Sequence, residues 1–196
     1  VSTQSTGIMT KVIFIGESAT GKSSLFQRIT TNKFEQNKNQ STSCAFKTFQ
    51  HQKLGKHYNF NLWDTAGQER FRSMTTVYCR QAEVVLLVFD VSNISTLKTI
   101  DYWIELVKNV TKSSPQFVLV GNKCDLLQDN FEITQMVQSI CMKQNLKYFQ
   151  VSAKTGKNIE GLVDHLCNYC KSDIQTPRES QTLEFEKPKV SKKCCE

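Results

Sequence analysis

Long apolar runs are missing from this 196-residue sequence: the longest, Val84 to Phe89, has six residues, where a membrane-spanning helix needs about 20. The opening stretch, Val1 to Gly7, has neither the basic start nor the apolar core of a secretory signal. Secretion and membrane spanning are therefore disfavoured. Proline and glycine are scarce, at 3 and 8 residues, which argues against a low-complexity chain. No internal repeat is evident, and no basic stripe is interleaved with aromatics, so nucleic-acid binding is not expected. What remains is 39% hydrophobic and 22% charged, the balance of a soluble globular protein. The length suits one domain of about 170 residues with short extensions.

Net charge is +7. Lys187, Lys189, Lys192 and Lys193 gather near the C-terminus, which directs attention to an anionic membrane surface. Eight cysteines in a chain without a secretory signal are expected as reduced thiols. Cys167 and Cys170 form a C-x-x-C, but they fall in an apolar helical pattern with no second pair at ligand spacing. Packing is the better reading.

Short β-type runs alternate with helical ones. Lys11–Ile15 reads as a strand ending in a glycine-bearing loop. Ala45–His51 and Tyr58–Trp63 flank Leu54-Gly55-Lys56, a hairpin signature. Val84–Phe89, Gln116–Gly121 and Lys147–Val151 read as strands buried on both faces. Helical spacing links Leu97, Ile100, Ile104 and Val107, then Ile133, Val137 and Ile140, then Ile159, Leu162, Val163, Leu166 and Cys170. The fold class is therefore α/β. Six strands form a mostly parallel sheet with one antiparallel edge strand and helices on both faces. Such sheets bind ligands at the carboxyl ends of their strands. From about Ser172 the chain turns polar and aperiodic, the composition of a flexible tail.

Gly16-Glu17-Ser18-Ala19-Thr20-Gly21-Lys22-Ser23 satisfies G-x-x-x-x-G-K-[ST] between an expected strand and an expected helix. Its backbone N–H groups can cradle phosphate oxygens. Lys22 would supply charge to the β- and γ-phosphates, and the Ser23 hydroxyl would coordinate Mg²⁺. Asp64 ends a strand within Trp63-Asp64-Thr65-Ala66-Gly67-Gln68-Glu69-Arg70-Phe71, where a carboxylate can hold the metal through water. Gly67 lets a backbone N–H approach a γ-phosphate, and Gln68 offers an amide to orient a water. Asn122-Lys123-Cys124-Asp125 follows another strand. There a carboxylate can accept from the N1–H and exocyclic amine of guanine, a pair of donors that adenine lacks. Ser152-Ala153-Lys154 ends the last strand, with the Ala153 N–H available to guanine O6.

With these motifs in this order, the chain resembles the Ras superfamily of small GTPases, and within it the Rab family, over about residues 10–172 and the tail. Trp63 to Phe71, Tyr78-Cys79-Arg80-Gln81-Ala82 and Leu87-Val88-Phe89-Asp90-Val91-Ser92 carry the likeness most closely. The resemblance implies a single P-loop GTPase domain with five helices over 10–172, a flexible N-terminus over 1–9, and a variable tail over 173–196. It implies nucleotide binding by Ser18, Ala19, Thr20, Gly21, Lys22, Ser23, Ser24, Asp64, Gly67, Asn122, Lys123, Asp125, Ser152, Ala153 and Lys154. Phe34 would stack on the guanine, and Gln68 would be the catalytic residue. Phe46, Trp63 and Tyr78 match an aromatic triad that reports the switch state to effectors; ordinary core packing is the alternative account of them, and both can hold together.

The first switch segment departs from the family. Gln40-Ser41-Thr42-Ser43-Cys44 stands where a Thr-Ile-Gly pattern is normal. Spacing puts Ser41 at the metal-binding position and residue type favours Thr42. Ala19 replaces a frequent glycine, as it does in other members. Intact Gln68 points to a GTP-hydrolysing switch, slow without an activating protein. The alternative is a GTP-binding module with little or no hydrolysis, acting as an effector-binding scaffold. A small-molecule phosphoryl kinase would need a lid and acceptor site that are not evident. Cys194 and Cys195, followed by Glu196, resemble the paired-cysteine end that Rabs use for double geranylgeranylation. Two lipid chains anchor stably where one does not. The expected partners are an exchange factor, a GTPase-activating protein, effectors, an escort protein, a dissociation inhibitor and a membrane. The expected state is a monomer on the cytoplasmic face of intracellular membranes, cycling with cytosol.

Overall fold

The computed structural model describes residues 9–36, 44–65, 77–126 and 131–170. Strand β1 (Thr10–Ile15) leads through a loop into helix α1 (Lys22–Thr31). A hairpin of β2 (Ala45–Lys53) and β3 (Lys56–Asp64) follows. After β4 (Val84–Asp90) come α2 (Ile94–Lys98) and α3 (Ile100–Val110), separated by Thr99. The chain closes with β5 (Gln116–Asn122), α4 (Phe131–Gln144), β6 (Lys147–Gln150) and α5 (Ile159–Leu166). One 3₁₀ turn spans Cys124–Leu126 and another Cys167–Tyr169.

The sheet has six strands in the order β2-β3-β1-β4-β5-β6. Every pairing is parallel except that of β2 with β3. The α/β class, the strand count, the antiparallel edge and the helices on both faces all hold. Alternation along the strands divides the core. Val12, Phe14, Leu86 and Val88 pack under α1 and α5, while Ile13, Ile15, Leu87 and Phe89 pack under α2, α3 and α4.

Three expectations change at element ends. The hairpin strands run two residues further toward the turn, because Leu54 and Gly55 both take positive φ (50° and 74°) and allow a two-residue turn. Strand β6 is not buried on both faces. It lies at the sheet edge opposite β2, and its residues are exposed or half-buried. The last helix stops at Leu166 and tightens into a 3₁₀ turn. There the C-x-x-C packs on the helix: Cys167 Sγ donates to the Val163 carbonyl and Cys170 Sγ to that of Leu166.

Candidate functional site

Parallel register brings four loops to one edge of the sheet, those leaving Ile15, Asp64, Asn122 and β6. Between them lies a cavity of about 340 Å³. The loop from Gly16 needs its glycines. A Cβ on Gly16 would stand 2.0 Å from the Val88 carbonyl oxygen, and one on Gly21 would stand 2.4 Å from Asn122 Nδ2. Gly21 (φ 86°) turns the chain into α1, whose first turn has no capping side chain and no acidic residue. Lys22, Ser23 and Ser24 of that first turn line the cavity, and the uncapped N–H groups of a helix start favour a bound anion.

Lys22 opens α1 and is buried. Its Nζ donates to the carbonyls of Gly16 (2.9 Å) and Glu17 (2.6 Å). An ammonium has three donors, so one remains for a ligand oxygen. Burial lowers the Lys22 pKa to about 8, against the attraction of Asp64 and Glu17. Asp64 is 2% exposed at the end of β3. Beside it, the Thr65 hydroxyl donates to the Phe14 carbonyl at 2.7 Å and ties this strand end to β1.

Asn122 joins three segments. Its Nδ2 donates to the Thr20 carbonyl (3.0 Å) and, longer, to that of Gly21 (3.4 Å), while its Oδ1 accepts from the Ala153 N–H (3.1 Å). The Ser152 hydroxyl donates to Asp125 Oδ1 at 2.5 Å and accepts from the Thr155 N–H. That bond fixes one oxygen of the carboxylate. Lys123, at φ 64°, extends its ammonium to Asp90 Oδ2 at 2.6 Å. Arg28 of α1 clamps the last loop from outside, donating to the carbonyls of Ala153 and Lys154 at 2.7 Å each.

Ser18, Ala19, Gly21, Lys22, Ser23, Ser24, Phe34, Asn122, Lys123, Asp125, Ala153 and Lys154 all line the cavity. Thr20, Asp64 and Ser152 lie buried behind it. Ser41, Thr42, Gly67 and Gln68 lie outside the described residues, as do Cys194 and Cys195. Glu35, Gln36, Thr65 and Leu126 also line the cavity and were not foreseen. Adjacency to Asp64 and Asp125 was the available signal for Thr65 and Leu126. Arg28 and Asp90 were missed as supporting residues, because their partners are 125 and 33 residues away.

The three aromatics form one cluster. Phe46 and Trp63 have ring centroids 4.7 Å apart, and Trp63 and Tyr78 5.8 Å. Core packing does not describe Phe46, which is 51% exposed. The Lys11 ammonium sits 5.1 Å over the Trp63 ring.

This fold and these loops define a P-loop nucleotide-binding protein. The Ras family model matches residues 11–172. GTP-binding protein YPT53 of Saccharomyces cerevisiae is 38% identical over 178 residues, covering 88% of this chain and 81% of that protein. Ras-related protein RabC of Dictyostelium discoideum is 30% identical over 192 residues, covering 96% and 98%. Ras-related protein YPTC6 of Chlamydomonas reinhardtii is 35% identical over 150 residues, covering 76% and 69%. The chain belongs to the Ras family and is a Rab-type small GTPase.

Proposed function

We propose that this protein is a GTP-hydrolysing switch of vesicle trafficking, held on the cytoplasmic face of intracellular membranes by prenylated Cys194 and Cys195. The GTPase domain is residues 10–172, and 173–196 is the tail that carries the lipids. The observation that carries the reading is the Asn122 bridge, which locks the phosphate loop to the Asp125 and Ala153 loops around one cavity. Phosphate and base recognition thereby become one rigid unit. Asp125, with one oxygen oriented by the Ser152 hydroxyl, offers its two carboxylate oxygens to guanine N1–H and the exocyclic amine. Phe34 covers the ring face, and the Ala153 N–H direction is set by Asn122.

Ser23 and the buried carboxylate of Asp64 are hard oxygen donors, the set that suits Mg²⁺. Ser23 would hold the ion directly and Asp64 through water, with either Ser41 or Thr42 as a further hydroxyl. When bound, Mg²⁺ neutralises charge on the β- and γ-phosphate oxygens. The Lys22 ammonium and the N–H groups at the start of α1 stabilise negative charge that develops on the same oxygens. Gly67 brings a backbone N–H to the γ-phosphate, and the Gln68 amide orients the attacking water. Phe46, Trp63 and Tyr78 form the surface that effectors read. An exchange factor, an activating protein, an escort protein and a dissociation inhibitor complete the cycle of a monomer.

Single-turnover release of phosphate from bound GTP tests the reading. The expected result is slow hydrolysis that an activating protein accelerates, and that Gln68→Leu suppresses with GTP affinity intact. Hydrolysis unchanged in that variant would overturn the role of Gln68. Retained GTP with no turnover in the wild type would favour the scaffold alternative.

A further inference from the structure

Neither folding nor the nucleotide site accounts for the side chain at the β2–β3 turn. A two-residue turn with positive φ at both positions favours Asn, Asp or Gly at the first. Here that position holds Leu54, at φ 50° and 92% exposed. A leucine in this conformation is sterically penalised and gains nothing by burial within the chain. The turn is also firmly held. His51 Nε2 lies 2.8 Å from Asp164 Oδ1, and the Lys53 ammonium donates to the Asp164 carbonyl at 3.0 Å, pinning the hairpin to α5.

Register places this turn at the sheet end opposite the nucleotide loops. Strand β3 starts at Lys56 but meets Thr10, the first residue of β1, only at Phe60. The turn thus projects about four residues, roughly 13 Å, beyond the start of β1. Exposed Lys56 and Lys112 lie at the same end, at the start of β3 and before β5. Glu83 and Asp164 are also there, and both are engaged: Glu83 accepts from the Lys11 N–H, and Asp164 pairs with His51. The described chain leaves from this end too, since its last residue, Cys170, lies close enough to Thr10 and Glu83 for them to act on its thiol. The last two cysteines follow about two dozen residues later in the sequence.

We propose that the β2–β3 turn is a second membrane contact, in which Leu54 enters the interface of an anionic bilayer while Lys56 meets its phosphate headgroups. Charge complementarity and the exit of the chain at this end argue for the bilayer as occupant. The inference rests on the reading that the final cysteines carry lipid, which brings this end of the domain to a surface.

Co-sedimentation of the full, unprenylated, GDP-loaded chain with phosphatidylserine-rich vesicles, and with neutral phosphatidylcholine vesicles, tests the turn apart from the lipids. Leu54→Asn suits the turn geometry and keeps the fold. We expect Lys56→Gln to weaken partition onto the anionic vesicles about five-fold. Leu54→Asn is expected to weaken it several-fold, with melting temperature equal or higher and GDP affinity unchanged. A second chain, with Lys187, Lys189, Lys192 and Lys193 replaced by Gln, should keep a measurable part of the binding. The proposal is overturned if the turn variants partition like the wild type, if neutral vesicles bind equally, or if the tail replacement alone removes all binding. The lipid reading fails separately, if a Cys194→Ser, Cys195→Ser chain stays on membranes in cells.

Discussion

At the scale of the residue, Lys22 sets the terms of phosphate binding. Burial holds its pKa at about 8, below the ordinary lysine value near 10.4. The fold therefore disfavours the charged form, and at neutral pH the buried ammonium costs stability. That cost is relieved as pH rises from about 8 toward 10, where the unfolded chain holds more protons than the folded one. A phosphate beside Lys22 pushes its pKa up again, so nucleotide binding takes up a proton above pH 8. GDP affinity should be level to about pH 7.5 and fall beyond pH 8, with a limiting slope of about ten-fold per pH unit. Titrations across this range check it, and a level profile to pH 9 would contradict it. The strings that hold Lys22, Asn122, Asp125 and Ala153 are legible because each is local. Arg28 and Asp90 are not, since only the folded chain brings them to Ala153 and Lys123.

At the scale of the element, the site depends on how strand ends are tied together. Asn122 at the end of β5 bonds the phosphate loop on one side and the Ala153 loop on the other. Asn122→Ala leaves the Thr20 carbonyl and the Ala153 N–H without that partner in a buried setting, at about 1–3 kcal/mol for each such group. Because both loops meet the nucleotide, GDP affinity should drop by roughly two orders of magnitude. Measured GDP dissociation would show the loss; an affinity within about two-fold of the wild type would mean that the bridge is incidental. Element type was legible from the residue pattern, as the continuous apolar run of β4 and the spacing of α3 to α5 demonstrate. Element ends were less so. The hairpin gained residues because Leu54 adopts a conformation that its residue type disfavours, and the apolar content of β6 did not reveal that it forms an edge.

At the scale of the whole molecule, strand order does what no local pattern announces. The order β2-β3-β1-β4-β5-β6 gathers loops from across the chain at one edge and leaves the β2–β3 turn and Cys170 at the other. The nucleotide cavity and the end of the described chain thus lie at opposite ends of the sheet. Among the described residues no helix is long and apolar enough to cross a membrane; in the proposed function, attachment is the task of Cys194 and Cys195. Replacing Cys194 and Cys195 by serine should move a tagged protein from membranes to the soluble fraction while GDP affinity stays unchanged. Fractionation of cells checks this, and continued membrane recovery would contradict it.

In the proposed function one cavity takes both the phosphates and the guanine, with Asp125 as the base reader. Xanthine carries a carbonyl where guanine carries the exocyclic amine, so an amide at position 125 can donate where the carboxylate accepted. The decisive measurement is competition among GDP, ADP and xanthosine diphosphate for the wild-type chain and for Asp125→Asn. The account predicts that the wild type selects GDP over ADP by several orders of magnitude, since adenine leaves the carboxylate unpaired, and that the variant transfers its preference to the xanthosine nucleotide. Comparable binding of ADP by the wild type, or an undiminished guanine preference in Asp125→Asn, would contradict it.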